Sequence, residues 1–153
     1  MITKSAEETI ELGKDIARHL APGDVVTLIG ELGSGKTTFT KGIAQGLGVK
    51  NALYVNSPSF VLIREHKGIF KLYHVDLYRL DNVPQVESLG IEEYLYSDGV
   101  TVVEWAQKLK SLLPKEHLRI EFKIMDNNSR SIKLKGFGKR YENISSRCVD
   151  KNN

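Results

Sequence analysis

Residues 30–37 read Gly-Glu-Leu-Gly-Ser-Gly-Lys-Thr and match the phosphate-binding pattern G-x-x-x-x-G-K-[ST]. The short apolar run Val25–Ile29 precedes this stretch, and a helix is predicted after it, from about Thr37 to Leu47. Glycines let the loop backbone curl so that successive N–H groups point at one anion, and the helix directs its positive end at the same anion. The strand, loop and helix together predict a P-loop, which is the phosphate cradle of nucleoside triphosphatases.

The chemistry of a P-loop gives each side chain of the stretch a task. The predicted nucleotide-binding residues are Gly33, Ser34, Gly35, Lys36, Thr37 and Thr38. Lys36 is predicted to reach the β- and γ-phosphates, and the hydroxyl of Thr37 is predicted to bind Mg²⁺. A nucleoside triphosphate and Mg²⁺ are therefore the predicted cofactors.

A P-loop site also needs an acidic residue, usually at the end of a buried strand, to complete the metal site. Val100–Val103 is wholly apolar or β-branched and leads into Glu104, while a second predicted strand leads into Asp76. We predict Glu104 as a magnesium ligand, directly or through water, and Asp76 and Lys36 as catalytic residues. Asp76 would orient or activate the attacking water, and an exchange of roles between the two carboxylates stays open. The structural alternatives are an ion pair of Asp76 with Arg79 and a strand-end cap at Glu104.

The rest of the pattern predicts one α/β domain over residues 1–153. Ser5 and Glu8 form a capping box that opens a helix, which ends before residues 21–23. The other predicted elements are a hairpin over 60–66 and 69–76, helical pieces over 83–95, a hairpin over 118–125 and 130–137, and a polar, frayed tail over 138–153. We expect a mixed, mainly parallel central sheet flanked by helices, plus antiparallel hairpins.

Composition excludes several classes of protein. Of the 153 residues, 41% are hydrophobic and 27% are charged, which is typical of a soluble globular chain. No apolar stretch approaches the roughly 18 residues that span a bilayer, and residues 1–11 are too polar for a signal peptide. Cys148 is the single cysteine, so an internal disulfide is excluded and a structural zinc site is not expected. A cytoplasmic protein with no membrane contact is the expectation.

The positive charge is concentrated in the last third of the chain. Residues 1–105 hold ten basic and fourteen acidic residues, whereas residues 106–153 hold twelve and five. Such a cluster can attract nucleic acid or an acidic partner, but solvated outer strand faces are the simpler interpretation. No stacking aromatic is expected among these basic residues, which argues against a binder of single strands.

The motifs that are absent narrow the class of nucleoside triphosphatase. The chain has no N-K-x-D guanine reader and no L-S-G-G-Q segment, so a small GTPase and an ABC-type ATPase are not expected. ATPases of the AAA and RecA types need longer chains than these 153 residues, so they are not expected either. A small P-loop kinase that phosphorylates a metabolite stays open as the alternative, and a nucleotide-dependent binding module with negligible hydrolysis is a third reading.

Several segments together resemble the bacterial TsaE (YjeE) family, from about Ser5 to Leu118. The resemblance rests on GELGSGKTT at 30–38, NSPSF at 56–60, YHVDLYR at 73–79, LGI at 89–91 and VEWA at 103–106. The H-x-D-x-Y-R and E-W blocks are the specific ones, while the first segment is generic. Ser34 and Ser59 stand where the family commonly has alanine and threonine, and neither change removes a backbone donor or a needed hydroxyl.

The resemblance implies a weak ATPase that uses ATP and Mg²⁺ in the formation of threonylcarbamoyladenosine in tRNA. Its partners would be the threonylcarbamoyl-transferase subunit and the paralogous subunit of that enzyme, with tRNA as an indirect partner. Hydrolysis would reset this complex rather than perform the transfer. The loop at 57–60 resembles a switch that responds to the γ-phosphate.

Three further residues in these blocks have both a functional and a structural interpretation. Trp105 is either a contact for nucleotide or partner, or an anchor at the edge of the core. His74 is either a proton relay or a hydrogen-bonded strand residue. Tyr78, like its neighbour Arg79, either faces the partner or the phosphates, or pairs with the acidic stretch over residues 81–93.

Overall fold

The computed structural model describes residues 1–56 and 62–150. Five helices are present: α1 (Ala6–Ala17), α2 (Lys36–Gly46), α3 (Val83–Glu87), α4 (Ile91–Leu95) and α5 (Lys139–Asp150). The strands are β1 (Ile2–Thr3), β2 (Val25–Ile29), β3 (Ile63–Lys67), β4 (Lys71–Asp76), β5 (Val100–Glu104), β6 (His117–Ile124) and β7 (Arg130–Phe137). Short 3₁₀ helices cover Ala52–Tyr54 and Ala106–Leu112. The predicted switch loop at 57–60, including Ser59, lies outside the described residues.

All seven strands belong to one sheet, in the order β1-β7-β6-β2-β5-β4-β3. The four central strands, β6, β2, β5 and β4, run parallel, and antiparallel pairs close the sheet at both edges. The predicted mixed sheet is confirmed, and the two predicted hairpins form parts of its edges. Because the carboxyl ends of parallel strands meet at one edge, the loop after β2 comes to lie beside the ends of β4 and β5.

Two clusters of buried side chains pack on the sheet. The larger cluster joins α1, α2 and α5 to β2, β6 and β7, with Phe39 and Ile43 among its wholly buried members. The smaller cluster lies under α3, α4 and the second 3₁₀ helix, against β2, β4 and β5. None of the helices described here is long and apolar enough to cross a membrane.

Helix α1 begins where the sequence predicted and is fixed tightly to α2. The Oγ of Ser5 accepts a hydrogen bond from the N–H of Glu8 at 3.1 Å, and the carboxylate of Glu8 accepts from the N–H of Lys4 at 2.7 Å. A Cβ at Gly42 of α2 would lie 2.1 Å from the carbonyl oxygen of Ile10 in α1. The two helices approach so closely that no side chain fits there, and this contact positions the helix that carries the P-loop.

We expect Gly42→Ala to destabilise the protein by about 3 kcal/mol, because the new methyl group must push apart two helix backbones. Urea unfolding measures the change. Gln45→Ala, on a less buried position of the same helix, is the control and should change stability by less than about 0.5 kcal/mol. Equal stability of the two variants would show that the helices separate without strain.

The expectation of a frayed tail from residue 138 is wrong, because residues 139–150 form α5. Tyr141, Ile144 and Cys148 recur at helical spacing, and all three are buried against the sheet. The guanidinium of Arg140 also holds both carboxylate oxygens of Asp24, at 2.8 and 2.6 Å. Three buried apolar residues on one face of this largely polar segment dock the helix on the sheet.

The hydroxyl of Tyr141 accepts a hydrogen bond from the N–H of Val25 at 3.1 Å, and burial raises the pKa of Tyr141 to about 12. The folded protein therefore keeps the phenol neutral at a pH where the unfolded chain ionises it. This contribution to stability is complete below about pH 10 and is lost as the pH rises towards 12.

We expect the stability difference between wild type and Tyr141→Phe to shrink by about 1 kcal/mol between about pH 9 and pH 11. Urea unfolding at the two pH values gives the number. Tyr54→Phe is the matched control, because Tyr54 is 80% exposed. A difference that stays constant with pH would contradict a buried, neutral phenol.

Candidate functional site

The predicted P-loop surrounds a cavity of about 370 Å³ at the carboxyl edge of the parallel strands. Gly33 and Gly35 have positive φ angles of 74° and 103°, which permit the inward curl of the backbone. Gly35 also lies directly before the first residue of α2. Residues of the predicted phosphate-binding stretch, Gly33, Ser34, Gly35, Lys36, Thr37 and Thr38, all line the cavity.

The Lys36 side chain is buried within this loop. Its ammonium donates to the carbonyl oxygens of Gly30 at 2.7 Å and Glu31 at 2.9 Å, and it lies 4.3 Å from the centre of the Trp105 ring. Burial lowers the pKa of Lys36, while the carboxylates of Glu104 and Asp76 oppose that shift. A phosphate group in the cavity would compete with these carbonyl oxygens for the ammonium protons.

Glu104 ends β5 and is held beside the loop by two side chains. The hydroxyl of Thr37 lies 3.0 Å from each of its carboxylate oxygens, and Nε2 of His74 lies 2.8 Å from Oε1. His74 is wholly buried, and its Nδ1 has no hydrogen-bond partner among the described residues. A carboxylate accepts only, so Nε2 carries the proton and His74 fixes the orientation of Glu104.

The residues at this position fit a magnesium ion. Oxygen ligands next to each other in an octahedron with bonds of 2.0–2.1 Å are about 2.9 Å apart, close to the spacing of the Thr37 and Glu104 oxygens. The described residues include no cluster of three or more His, Cys, Asp or Glu that could hold a metal. That fits Mg²⁺ in a phosphate site, where one or two protein oxygens suffice and phosphates and water complete the shell.

Asp76 ends β4 directly opposite Glu104 in the register of the two parallel strands. Its carboxylate oxygen Oδ1 accepts a hydrogen bond from the N–H of Tyr78 at 2.9 Å, and the residue is 6% exposed. Asp76 and Glu104 both line the cavity. The fold thus brings the two candidate carboxylates together with Lys36 and Thr37.

Trp105 turns the chain at the rim of the cavity. Its φ angle is 59°, an unusual value for a residue with a side chain, and its ring lies 5.0 Å from that of Tyr78. Lys108 supports this corner, since its ammonium donates to the carbonyl oxygens of Tyr78 and Leu80. Trp105 packs against the smaller core cluster, as the anchor interpretation predicts, and it also lines the cavity, so its contact with nucleotide or partner stays a prediction.

Two other walls of the cavity were not predicted from the sequence. The turn after β6 contributes Asn127 and Asn128, and Arg130 donates to the carbonyl oxygen of Gly33 at 3.2 Å. The first turn of α1 contributes Ser5 and Thr9. Both segments are distant from the P-loop in sequence, and the pairing of β2 with β6 is what brings the turn into place.

The sheet order and this loop define a P-loop protein of the α/β class. The family model for "Threonylcarbamoyl adenosine biosynthesis protein TsaE" matches residues 3–132. The chain therefore belongs to the TsaE family and takes part in tRNA threonylcarbamoyladenosine biosynthesis. The match extends beyond Leu118, where the resemblance was expected to end, and it includes the turn that lines the cavity.

Curated relatives agree with this assignment. The tRNA threonylcarbamoyladenosine biosynthesis protein TsaE of Bacillus subtilis (strain 168) is 45% identical over 141 residues, 92% of this chain and 87% of the relative. The protein of the same description from Treponema pallidum (strain Nichols) is 37% identical over 131 residues, 86% of this chain and 96% of the relative. The crystal structure of Bacillus subtilis YdiB superimposes with a TM-score of 0.81 at 38% identity, covering 100% of this chain and 95% of that one.

Proposed function

We propose that this protein binds and hydrolyses ATP within the complex that forms the threonylcarbamoyl group on adenosine 37 of tRNAs reading codons that start with A. Family membership supports the pathway. The observation that carries the ATPase is the convergence of Lys36, Thr37, Asp76 and Glu104 on one cavity at the end of parallel strands. The absence of a guanine-reading N-K-x-D segment from the sequence supports adenine as the base.

In this proposal each side chain has a distinct task. The loop N–H groups and Lys36 hold the phosphates, and Thr37 and Glu104 hold Mg²⁺, which supplies positive charge at the phosphate oxygens. Asp76 orients the water that attacks the γ-phosphate, so that ATP and water give ADP and phosphate. His74 keeps the Glu104 carboxylate in place through the 2.8 Å hydrogen bond.

The proposal also includes the subunits that bind this protein and the compartment in which it acts. Leu32 and Tyr78, which line the cavity, are 69% and 49% exposed and present apolar surface beside a polar site. A partner that covers them would exclude water and complete the site. We assign that task to the transferase subunit and its paralogous subunit, in the cytoplasm, with hydrolysis resetting the complex between turnovers.

ATP turnover of the protein alone, with the partner pair, and with a panel of metabolites tests this function. We expect slow hydrolysis alone and a higher rate with the pair. A metabolite that stimulates the reaction and is itself phosphorylated stoichiometrically, with no effect of the pair, would establish a kinase instead. Normal threonylcarbamoyladenosine in tRNA of a depleted strain, with no other gene compensating, would contradict the role in this pathway.

A further inference from the structure

In the part of the chain that the structure describes, the five α-helices leave one face of the β6–β7 half of the sheet uncovered. Residues of β6 and β7 alternate between the two sides, with Leu118, Ile120 and Ile132 in the larger core cluster. On the other side, α3, α4 and the 3₁₀ helix pack on β2, β4 and β5, and the described members of that smaller cluster include no residue of β6 or β7. The outer face of the β6–β7 hairpin is therefore open to solvent around Lys123, Lys133 and Lys135, while its other end, at His117 and Arg119, is buried or lies against the second 3₁₀ helix.

Positive charge dominates this outer face. The strand register pairs Arg119 with Lys135 and Glu121 with Lys133, while Lys123 lies one pair further along. Among the described residues, none of these four cations takes part in an ion pair, and the three lysines are exposed. We call the surface of Arg119, Lys123, Lys133 and Lys135 the basic sheet face.

A second cavity, of about 280 Å³, adjoins this face between the sheet and the second 3₁₀ helix. Arg119 and Lys110 both line it. The Nε of Arg119 is buried and lacks a hydrogen-bond partner among the described residues, and Lys110 has φ 49° and ψ −113°, an unfavourable conformation for a residue with a side chain. An unsatisfied donor beside a strained lysine provides a place for an anion.

We propose that the basic sheet face, with Lys110 at its rim, binds the phosphate backbone of a folded RNA. Lysines presented by neighbouring strands form an extended array of positive charge that suits a row of phosphates. The sequence suggested that no aromatic lies among these residues, but Phe137 does lie there. Its ring is stacked on His117 with the ring centres 4.6 Å apart, and the cationic groups of Arg119 and Lys135 lie 4.8 and 4.9 Å from its centre, so protein groups already contact this ring. Backbone contact, not base stacking, is the mode that fits.

RNA fits this face better than an acidic protein does. Apart from Phe137, whose ring is stacked on His117, the outward positions of the two strands present no apolar side chain, whereas the centres of protein interfaces are rich in apolar anchors and poor in lysine. The family belongs to a tRNA modification pathway, and its resemblance implies tRNA only as an indirect partner. Our proposal adds a direct contact between tRNA and the basic sheet face. This inference is independent of ATP hydrolysis, because none of its residues lines the cavity at the P-loop.

The double variant Lys133→Gln/Lys135→Gln tests the proposal with an unmodified tRNA transcript. At fixed salt we expect about tenfold weaker binding, and a slope of log affinity against log salt that is less steep by about 1.5, because two phosphate contacts are lost. Lys50→Gln/Lys67→Gln is the matched control, with two exposed lysines towards the other edge of the sheet and the same change of charge. The control should bind RNA as the wild type does.

Two single variants complete the test. Glu121→Gln removes the acidic residue from the middle of the face, and we expect about threefold tighter RNA binding, a gain that loss of folding does not produce. Lys110→Gln should weaken binding several-fold and reduce the salt slope by about 1.

The same titrations decide the outcome. Equal losses in the two double variants, or unchanged binding in Lys133→Gln/Lys135→Gln, would overturn the proposal. Polyglutamate that competes as well as tRNA, charge for charge, would overturn it in favour of an acidic protein. Binding of a labelled ATP analogue, measured on every variant, should stay at the wild-type value, so the outcome is separable from that of the proposed ATPase.

Discussion

Replacing Lys36 by alanine is expected to weaken ATP binding by at least about 100-fold, the largest effect on binding that we predict. Lys36 carries the one cationic group of the loop at 30–37, and its hydrogen bonds to the carbonyl oxygens of Gly30 and Glu31 hold that group at the cavity. Backbone N–H groups alone do not replace a full positive charge against a triphosphate. Calorimetric titration with ATP and Mg²⁺ measures the loss.

Lys41→Ala is the matched control for this experiment, since Lys41 lies on the same helix but does not line the cavity. The control should bind ATP as the wild type does. Competition between ATP and GTP on the wild type should favour ATP. Undiminished affinity in Lys36→Ala would count directly against the nucleotide assignment.

The second large effect is on turnover. Glu104→Gln and Asp76→Asn should each lower ATP hydrolysis by about 10²- to 10³-fold while nucleotide binding changes only a few-fold, because the phosphate cradle consists of loop N–H groups and Lys36. Both substitutions keep the size of the side chain and remove its charge. The measurement is ATP turnover in the presence of the partner pair. The control is Glu93→Gln, which changes an exposed residue of α4.

A titration with Mg²⁺ then separates the two roles. Glu104→Gln should need more Mg²⁺ for its residual activity, as a variant of a metal ligand does, whereas Asp76→Asn should keep the wild-type requirement. The reverse pattern would mean that the carboxylates have exchanged roles. Full turnover in either variant would remove that residue from the catalytic site.

The sequence predicted the elements whose signals are local. The capping box at Ser5 and the apolar run Val25–Ile29 indicated the elements that were found, and so did the second apolar run, Val100–Val103. Helix α5 was missed because its described buried face consists of three residues, Tyr141, Ile144 and Cys148, within a largely polar segment. The pairing of β1 with β7 was also missed, since it joins residues more than 125 positions apart and has no local pattern.

In the candidate site, too, the sequence predicted the residues that belong to motifs and missed those that tertiary packing brings in. Motif spacing identified Lys36, Thr37, Asp76 and Glu104 before any geometry was known, and the fold places all four at one cavity. The part played by Arg130 depends on which strand neighbours β2, and the position of Trp105 depends on a left-handed turn without glycine. Such features follow from tertiary packing, which single residues in a sequence do not reveal.

The position of Trp105 has a practical consequence. It is the only tryptophan in the chain, so indole fluorescence of the protein originates from one ring, 4.3 Å from the Lys36 ammonium. The emission of an indole responds to the electric field around it, and phosphates that draw the ammonium away would alter that field. The intrinsic fluorescence of Trp105 therefore reports on the phosphate-binding loop, and a nucleotide titration of the unlabelled protein can be followed by it.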